Sequence, residues 1–276
     1  MPNSSAPAVS VTARTRLFAI LADPVAHVKA PMVMHRVFAH HGVDGVLVPM
    51  HVASDGLARA VEGLRQTQNF GGFIVTMPHK EAMLHLCDEV TEEAQHVGAV
   101  NCVRRERDGR MIGTMLDGAG FLEGLRRAGH DPQGMRVFLA GAGGAASAIA
   151  FALADAGATG ITVANRTEAR ARALLDRLAR RYPALVLGTD AGTVADHDLV
   201  VNATSQGMRP GDSLPLDVTR LHGRQIVAEA IMDPEETPLL AKARATGCTV
   251  HLGLPMLTAQ IELMARHMGA IGGSAS

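Results

Sequence analysis

The run Arg136–Ala140, followed at once by Gly141-Ala142-Gly143-Gly144-Ala145-Ala146, constrains this chain more than any other stretch. An apolar strand entering a glycine-rich turn and then a helix makes an anion site. Gly141 permits the tight turn, Gly143 removes a side chain that would block a close phosphate, and a helix starting near Ala145 presents free N–H groups with a favourable dipole. The run belongs to a complete strand-helix-strand unit. Ala145 to Ala156 is an apolar stretch of helix length, and Gly160 to Ala164 reads as the next strand. A dinucleotide pyrophosphate is therefore the expected guest.

The end of that second strand bears on which dinucleotide is taken. An NAD-selective site carries Asp or Glu there, to accept from the ribose 2′-OH. This chain instead reads Asn165-Arg166-Thr167-Glu168-Ala169-Arg170. A carboxylate would repel a 2′-phosphate, whereas Arg166 and Arg170, four apart across the first turn of a helix, can hold it by charge-assisted hydrogen bonds. The expected cofactor is NADP. Arg172, Arg177, Arg180 and Arg181 lie further on and read as a solvated helix face.

Length and composition narrow the function class. A chain of 276 residues with 47% hydrophobic and 19% charged residues fits one or two globular domains. A formal charge of −1 argues against a nucleic-acid surface, and no apolar stretch approaches the roughly twenty residues that span a bilayer. Met1 to Thr12 reads as a loose tail rather than a signal peptide, and Gly272 to Ser276 as a frayed end. Cys87, Cys102 and Cys248 give neither a disulfide framework nor metal spacing, which points to a reducing cytoplasm. His35, His40 and His41 share one helix without acidic or cysteine partners at ligand spacing, so they read as solvated and no metal is expected.

Strand and helix patterns alternate before the glycine turn: Leu17–Leu21, a helix over Pro31–His41, Val46–Val52, a helix over Leu57–Gln66, then Gly72–Thr76. These predict a parallel α/β layer. Ala99–Arg104 is expected to pair with Met111–Thr114 across Asp108-Gly109, and Gly118–Ala128 to be helical. Beyond the glycine turn, Leu185–Gly188, Leu199–Thr204, Gln225–Ala230 and Thr249–His251 continue a doubly wound sheet. The expected domains are a substrate-binding α/β domain over 1–117, a Rossmann NADP domain over 118–252, and a C-terminal helix in 253–276 packing on the first.

A set of motifs runs in order along the chain: Ala22-Asp23-Pro24-Val25-Ala26-His27, Val75-Thr76-Met77-Pro78-His79-Lys80-Glu81, Gly98-Ala99-Val100-Asn101 and Asp117-Gly118. The Gly141 turn and Asn165-Arg166-Thr167 come next, then Asn202-Ala203-Thr204-Ser205, Thr237-Pro238-Leu239-Leu240, and Gly253-Leu254-Pro255-Met256-Leu257 with Gln260. In this ordered set the chain resembles the shikimate dehydrogenases over nearly its whole length. The resemblance implies an active site in a cleft between substrate and NADP domains, and hydride exchange between NADPH and a ring carbonyl. It also implies that Lys80 is the catalytic lysine and Asp117 the carboxylate paired with it, and that Thr76, Asn101 and Gln260 bind ring hydroxyls. Cofactor contacts are expected at Gly141, Ala142, Gly143, Gly144, Ala145, Asn165, Arg166, Thr167, Arg170, Thr204, Ser205 and Gly253. His79 adjoins Lys80, but neighbouring side chains on a helix point apart, so it reads as a supporting residue.

The departures from the family pattern fall mostly on one side of the substrate. Val28 and Ala30 flank Lys29 where the family has serines that hold a carboxylate, Ile74 stands in place of Asn, and Met232 in place of Tyr. Losing two hydroxyl donors to a charged group costs on the order of 3 to 6 kcal/mol, unless Lys29 compensates. Within the broad reading of a shikimate dehydrogenase, these changes lean toward a paralogue that reduces a related, carboxylate-free cyclic ketone or polyol. A non-catalytic NADPH sensor is the alternative from another class, and retention of both Lys80 and Asp117 argues against it.

Overall fold

The computed structural model describes residues 10–26 and 28–272. His27 of the first motif and much of the two expected tails lie outside the described residues. The chain divides into two compact units, one running to Leu116 and resuming at Gln260, the other spanning Asp117–Ala259.

The first unit is built from β1 (Arg16–Ala22), α1 (Ala30–His40), β2 (Gly45–His51), α2 (Leu57–Gln66), β3 (Phe70–Val75), α3 (Lys80–Met83), β4 (Glu89–Val90), α4 (Glu92–Val97), β5 (Cys102–Arg105) and β6 (Met111–Thr114). Its strands follow the order β2-β1-β3-β5-β6-β4. β1 pairs in parallel with β2 and β3, but β5 runs antiparallel to both β3 and β6. The parallel layer predicted for the first three strands and the hairpin predicted across Asp108-Gly109 are both present, and the sheet as a whole is mixed because β5 enters antiparallel to β3. β3 is buried at all six positions, as a strand covered on both faces must be. Pro31 lies in the first turn of α1, the Thr91 hydroxyl caps α4, and Gly98 ends α4 at φ 74° in the left-handed region.

The second unit contains α5 (Asp117–Arg127), β7 (Arg136–Ala140), α6 (Gly144–Asp155), β8 (Gly160–Ala164), α7 (Glu168–Arg181), β9 (Val186–Gly188), β10 (Leu199–Asn202), β11 (Ile226–Glu229), α8 (Pro238–Ala245) and β12 (Thr249–His251). These strands form an all-parallel sheet in the order β12-β11-β10-β7-β8-β9. The order reverses between β7 and β10, and ligands of open α/β sheets bind beyond the carboxyl ends of strands at such a point. Phe138, Val200, Val227, Leu239 and Leu240 fill one core, each contributing about 1.5 to 3 kcal/mol by burial.

The last helix, α9 (Leu254–His267), starts in the second unit and ends in the first. Within the first unit the Cys102 thiol donates to Met264 O at 3.8 Å, and the His267 ring donates through Nε2 to Ile112 O at 3.0 Å. A Cβ on Gly72 would lie 2.3 Å from Val103 O and 3.0 Å from Met268 Cγ, so this strand position has room only for glycine. No helix among the described residues is long and apolar enough to cross a membrane.

Candidate active site

In the first unit the candidate side chains Thr76, Lys80 and Asn101 gather where β3 ends and β5 begins. Val75 N–H donates to Asn101 O at 2.8 Å, Thr76 N–H to Leu21 O at 3.0 Å, and Val100 N–H to Lys80 O at 2.9 Å. The backbone of Lys80, at the start of α3, is thus tied to the residue before Asn101. Asn101 is 1% exposed, and its Oδ1 accepts from the N–H of Leu116, the residue before Asp117. Lys80 and Thr76 are half-buried and Asp117 is buried at the first residue of α5. Gln260 is 4% exposed, one helical turn before Met264, and its Oε1 is buried without a hydrogen-bond partner. A buried amide oxygen in that state calls for a donor.

His79 proves to be a structural tie. Its ring is 1% exposed and meets Val52 O through Nε2 at 2.7 Å, which fixes the turn before Lys80 onto the end of β2. At the ends of the adjacent strands β1 and β2, Asp23 and His51 pair at 2.7 Å, and Asp23 N–H donates to Met77 O at 3.0 Å.

In the second unit the glycine turn takes the expected shape. Gly141 has φ 113°, in the region that disfavours side chains, and a Cβ there would come within 3.0 Å of Ala203 O. A Cβ at Gly143 would meet no protein atom within 4 Å, so packing inside the protein does not demand glycine at this position, and the space beside it is open. α6 begins at Gly144 and aims its first N–H groups from the end of β7. Asn165 Nδ2 donates to Thr167 O at 2.9 Å, closing the corner between β8 and α7. Arg166 and Arg170 stand exposed at that corner, while Glu168 is paired with Arg172 at 2.7 Å and so does not compete for them. These residues fit a dinucleotide bearing a 2′-phosphate.

Two family models match the chain: the shikimate dehydrogenase substrate binding domain over residues 20–103, and shikimate / quinate 5-dehydrogenase over residues 125–208. An NADP(+) shikimate dehydrogenase of Rhodospirillum rubrum is 40% identical over 260 residues, covering 91% of this chain and 90% of the relative. The chain belongs to the shikimate dehydrogenase family. Among solved structures, shikimate 5-dehydrogenase from Thermus thermophilus, crystallised with NADP(H) and shikimate, matches with a TM-score of 0.84 at 34% identity, covering 93% of this chain and 94% of that one. The ligand-free 5-ketofructose reductase of a Gluconobacter species matches with a TM-score of 0.80, also at 34% identity, covering 92% and 93%.

Seen as a shikimate dehydrogenase fold, several side chains have settled partners that sequence reading did not supply. The Thr204 hydroxyl donates to Asn202 Oδ1 at 2.7 Å and accepts from Gln206 N–H at 3.0 Å, so it shapes its own turn, while Ser205 beside it is exposed. Gly253 is buried, and a Cβ there would lie 2.0 Å from Ile231 O, so only glycine fits the position. Ile74 is a core residue of β3. Arg177 is not part of the solvated face expected for it: the guanidinium donates to Ser147 Oγ at 2.9 Å, tying α7 to α6. His35 is likewise not simply solvated, because its Nε2 accepts from Leu47 N–H at 3.0 Å. Arginine and histidine at helical spacing carry no mark of a tertiary partner, so the sequence alone does not reveal either contact.

Proposed function

We propose that this protein is an NADP-dependent shikimate dehydrogenase, catalysing reversible hydride transfer between NADPH and the ring carbonyl of a shikimate-type substrate. The observation that carries this reading is the gathering of Thr76, Lys80 and Asn101 at the ends of β3 and β5, in a chain similar over 91% of its length to enzymes of that name. NADPH, when bound, supplies the hydride. Lys80 gives a proton to the oxygen as it becomes an alkoxide and takes it back in the other direction, with Asp117 as its carboxylate partner. Thr76, Asn101 and Gln260 orient the ring hydroxyls, and the unpartnered Gln260 Oε1 supplies an acceptor ready for one of them.

Residues 1–117 and the helix within 253–276 serve the substrate, and residues 118–252 serve the cofactor. Gly141 to Ala145 take the pyrophosphate, Arg166 and Arg170 the 2′-phosphate, and Asn165 with Thr167 shape that corner. Thr204, Ser205 and Gly253 complete the cofactor surface. Such an activity belongs to aromatic amino acid biosynthesis. The relatives do not favour a carboxylate-free substrate or a non-catalytic sensor.

Steady-state assays of shikimate, quinate and carboxylate-free cyclohexane polyols, each with NADP and NAD, test the reading directly. Turnover of shikimate with NADP is expected. Lys80→Ala should abolish most turnover and leave NADPH binding intact; single-turnover hydride transfer at the wild-type rate in that variant would remove Lys80 from the mechanism.

A further inference from the structure

Glu229 closes β11 as a carboxyl with 0% exposure, in register with Asn202 at the end of β10. Asn202 Nδ2 donates to Glu229 Oε1 at 2.8 Å and to Gln206 O at 3.1 Å. On its other side, Asn202 Oδ1 accepts from Thr204 N–H at 3.0 Å and from Thr204 Oγ1 at 2.7 Å. Both amide hydrogens and both lone pairs are therefore used. The acceptor at Glu229 reinforces the orientation that Gln206 O and Thr204 N–H also require, nitrogen toward β11 and oxygen toward Thr204, and it is the side-chain anchor that ties this amide to β11. Thr237 also hydrogen-bonds the Glu229 carboxyl, and as the cap of α8 its hydroxyl accepts from Leu240 N–H at 3.3 Å.

This arrangement is expensive. Burial pushes the Glu229 carboxyl above the usual carboxylate range, against the opposing hydrogen bonds from Asn202 and Thr237, and Oε2 is buried without a partner. An apolar residue would spare that desolvation. What the carboxyl secures is the turn after β10. Ala203 N–H donates to Ala140 O at 2.9 Å, and a Cβ on Gly141 would stand 3.0 Å from Ala203 O and 3.3 Å from Thr204 Cγ2. The turn is one wall of the glycine turn.

We propose that Glu229 is a positioning residue for NADP(H): by anchoring the Asn202 amide to the end of β11, it holds the Ala203–Gln206 turn against Gly141 in the shape that receives the cofactor. The inference rests on the cofactor reading given above. It acts through an acceptor rather than through charge, so glutamine, which keeps a carbonyl oxygen in the same place, preserves it and leucine does not.

The test uses the full chain, NADPH affinity by fluorescence titration, steady-state kinetics, and hydrogen exchange at the amides of Thr204 and Gln206. Glu229→Gln should bind NADPH within about threefold of wild type. Glu229→Leu should bind it at least tenfold more weakly and exchange those two amides faster, with kcat at saturating NADPH and KM for shikimate within about threefold. A folded Glu229→Leu protein that binds NADPH like wild type, with or without a lower Tm, overturns the proposal, as does a Glu229→Gln protein as weak as Glu229→Leu. Should Glu229→Leu fail to fold, Thr237→Val removes a second anchor of the same carboxyl. A rise of about threefold or more in the NADPH dissociation constant supports the proposal, and an unchanged value overturns it. Arg166→Ala run in parallel separates the two readings: unchanged NADPH affinity there refutes the cofactor site itself, whereas weakening there with none in Glu229→Leu refutes only the role of Glu229.

Discussion

Asn101 Oδ1 accepts the backbone N–H of Leu116 at 2.8 Å, so the side chain expected to meet the substrate also pins the chain one residue before Asp117. Asn101→Ala leaves a half-buried N–H without that partner and is expected to destabilise the protein by about 1 to 3 kcal/mol. It should also lower kcat/KM for shikimate by more than tenfold, since a small misplacement of catalytic groups is costly. Urea unfolding and steady-state kinetics check both effects, and an unshifted unfolding midpoint would show that the hydrogen bond carries no weight.

Arg166 stands exposed where an acidic residue would select NAD. Arg166→Ala is expected to raise the KM for NADP strongly, at least tenfold, while leaving NAD almost unchanged. Calorimetry on the wild-type protein provides a second check. Equal affinity for NAD and NADP would contradict the assignment.

Val28 is half-buried, and Ala30 is a buried residue at the start of α1. Neither offers a hydroxyl toward a carboxylate. Val28→Ser combined with Ala30→Ser should raise kcat/KM for shikimate by about tenfold or more, each charge-assisted bond being worth roughly 1.5 to 3 kcal/mol when formed. An unchanged or lower value would point instead to Lys29 or backbone N–H groups as the carboxylate anchor.

His35 accepts from Leu47 N–H, which requires an unprotonated Nε2, and burial lowers the pKa of its ring. The folded state therefore binds fewer protons than the unfolded one over the interval between the two pKa values. The stabilisation is complete above the unfolded value of about 6.5 and is lost as pH falls through the folded one. His35→Gln keeps an acceptor that does not titrate. Wild type should lose stability relative to this variant as pH drops from 8 to 5, measured by urea midpoints, and a pH-independent difference would rule the linkage out.

Elements with strong local signals stand where the sequence places them. Leu57–Gln66, Arg136–Ala140, Gly160–Ala164 and Thr249–His251 have the predicted bounds, because apolar periodicity and adjacent glycines delimit them. Glu89–Val90 and Glu92–Val97 went unread, being too short for periodicity to register. The hairpin of β5 with β6 is legible from Asp108-Gly109, but the antiparallel placement of β5 against β3 depends on pairing that no local pattern encodes. At the site, motif order picked out Lys80, Asn101 and Gln260 by resemblance, but not what each side chain touches. That Thr204 spends its hydroxyl on Asn202 is a matter of neighbours in one turn, whereas the bond from Asn202 to Glu229 joins residues 27 positions apart in the chain. A lone acidic residue ending the apolar strand Ile226–Glu229 was the one available sign.

Gly118 follows Asp117 directly, and a Cβ there would lie 2.3 Å from Ala148 O on α6. The backbones of α5 and α6 thus touch with nothing between them, and α6 is the helix whose first turn faces the glycine turn. Even one methyl group would wedge the two helices apart, disturbing at once the residue assigned to proton chemistry and the residues assigned to phosphate. Overpacking of this kind costs about 1 to 3 kcal/mol in stability, but its heavier toll would fall on alignment. Position 118 therefore has no room for a side chain, and both assignments lean on this one bare contact between helices.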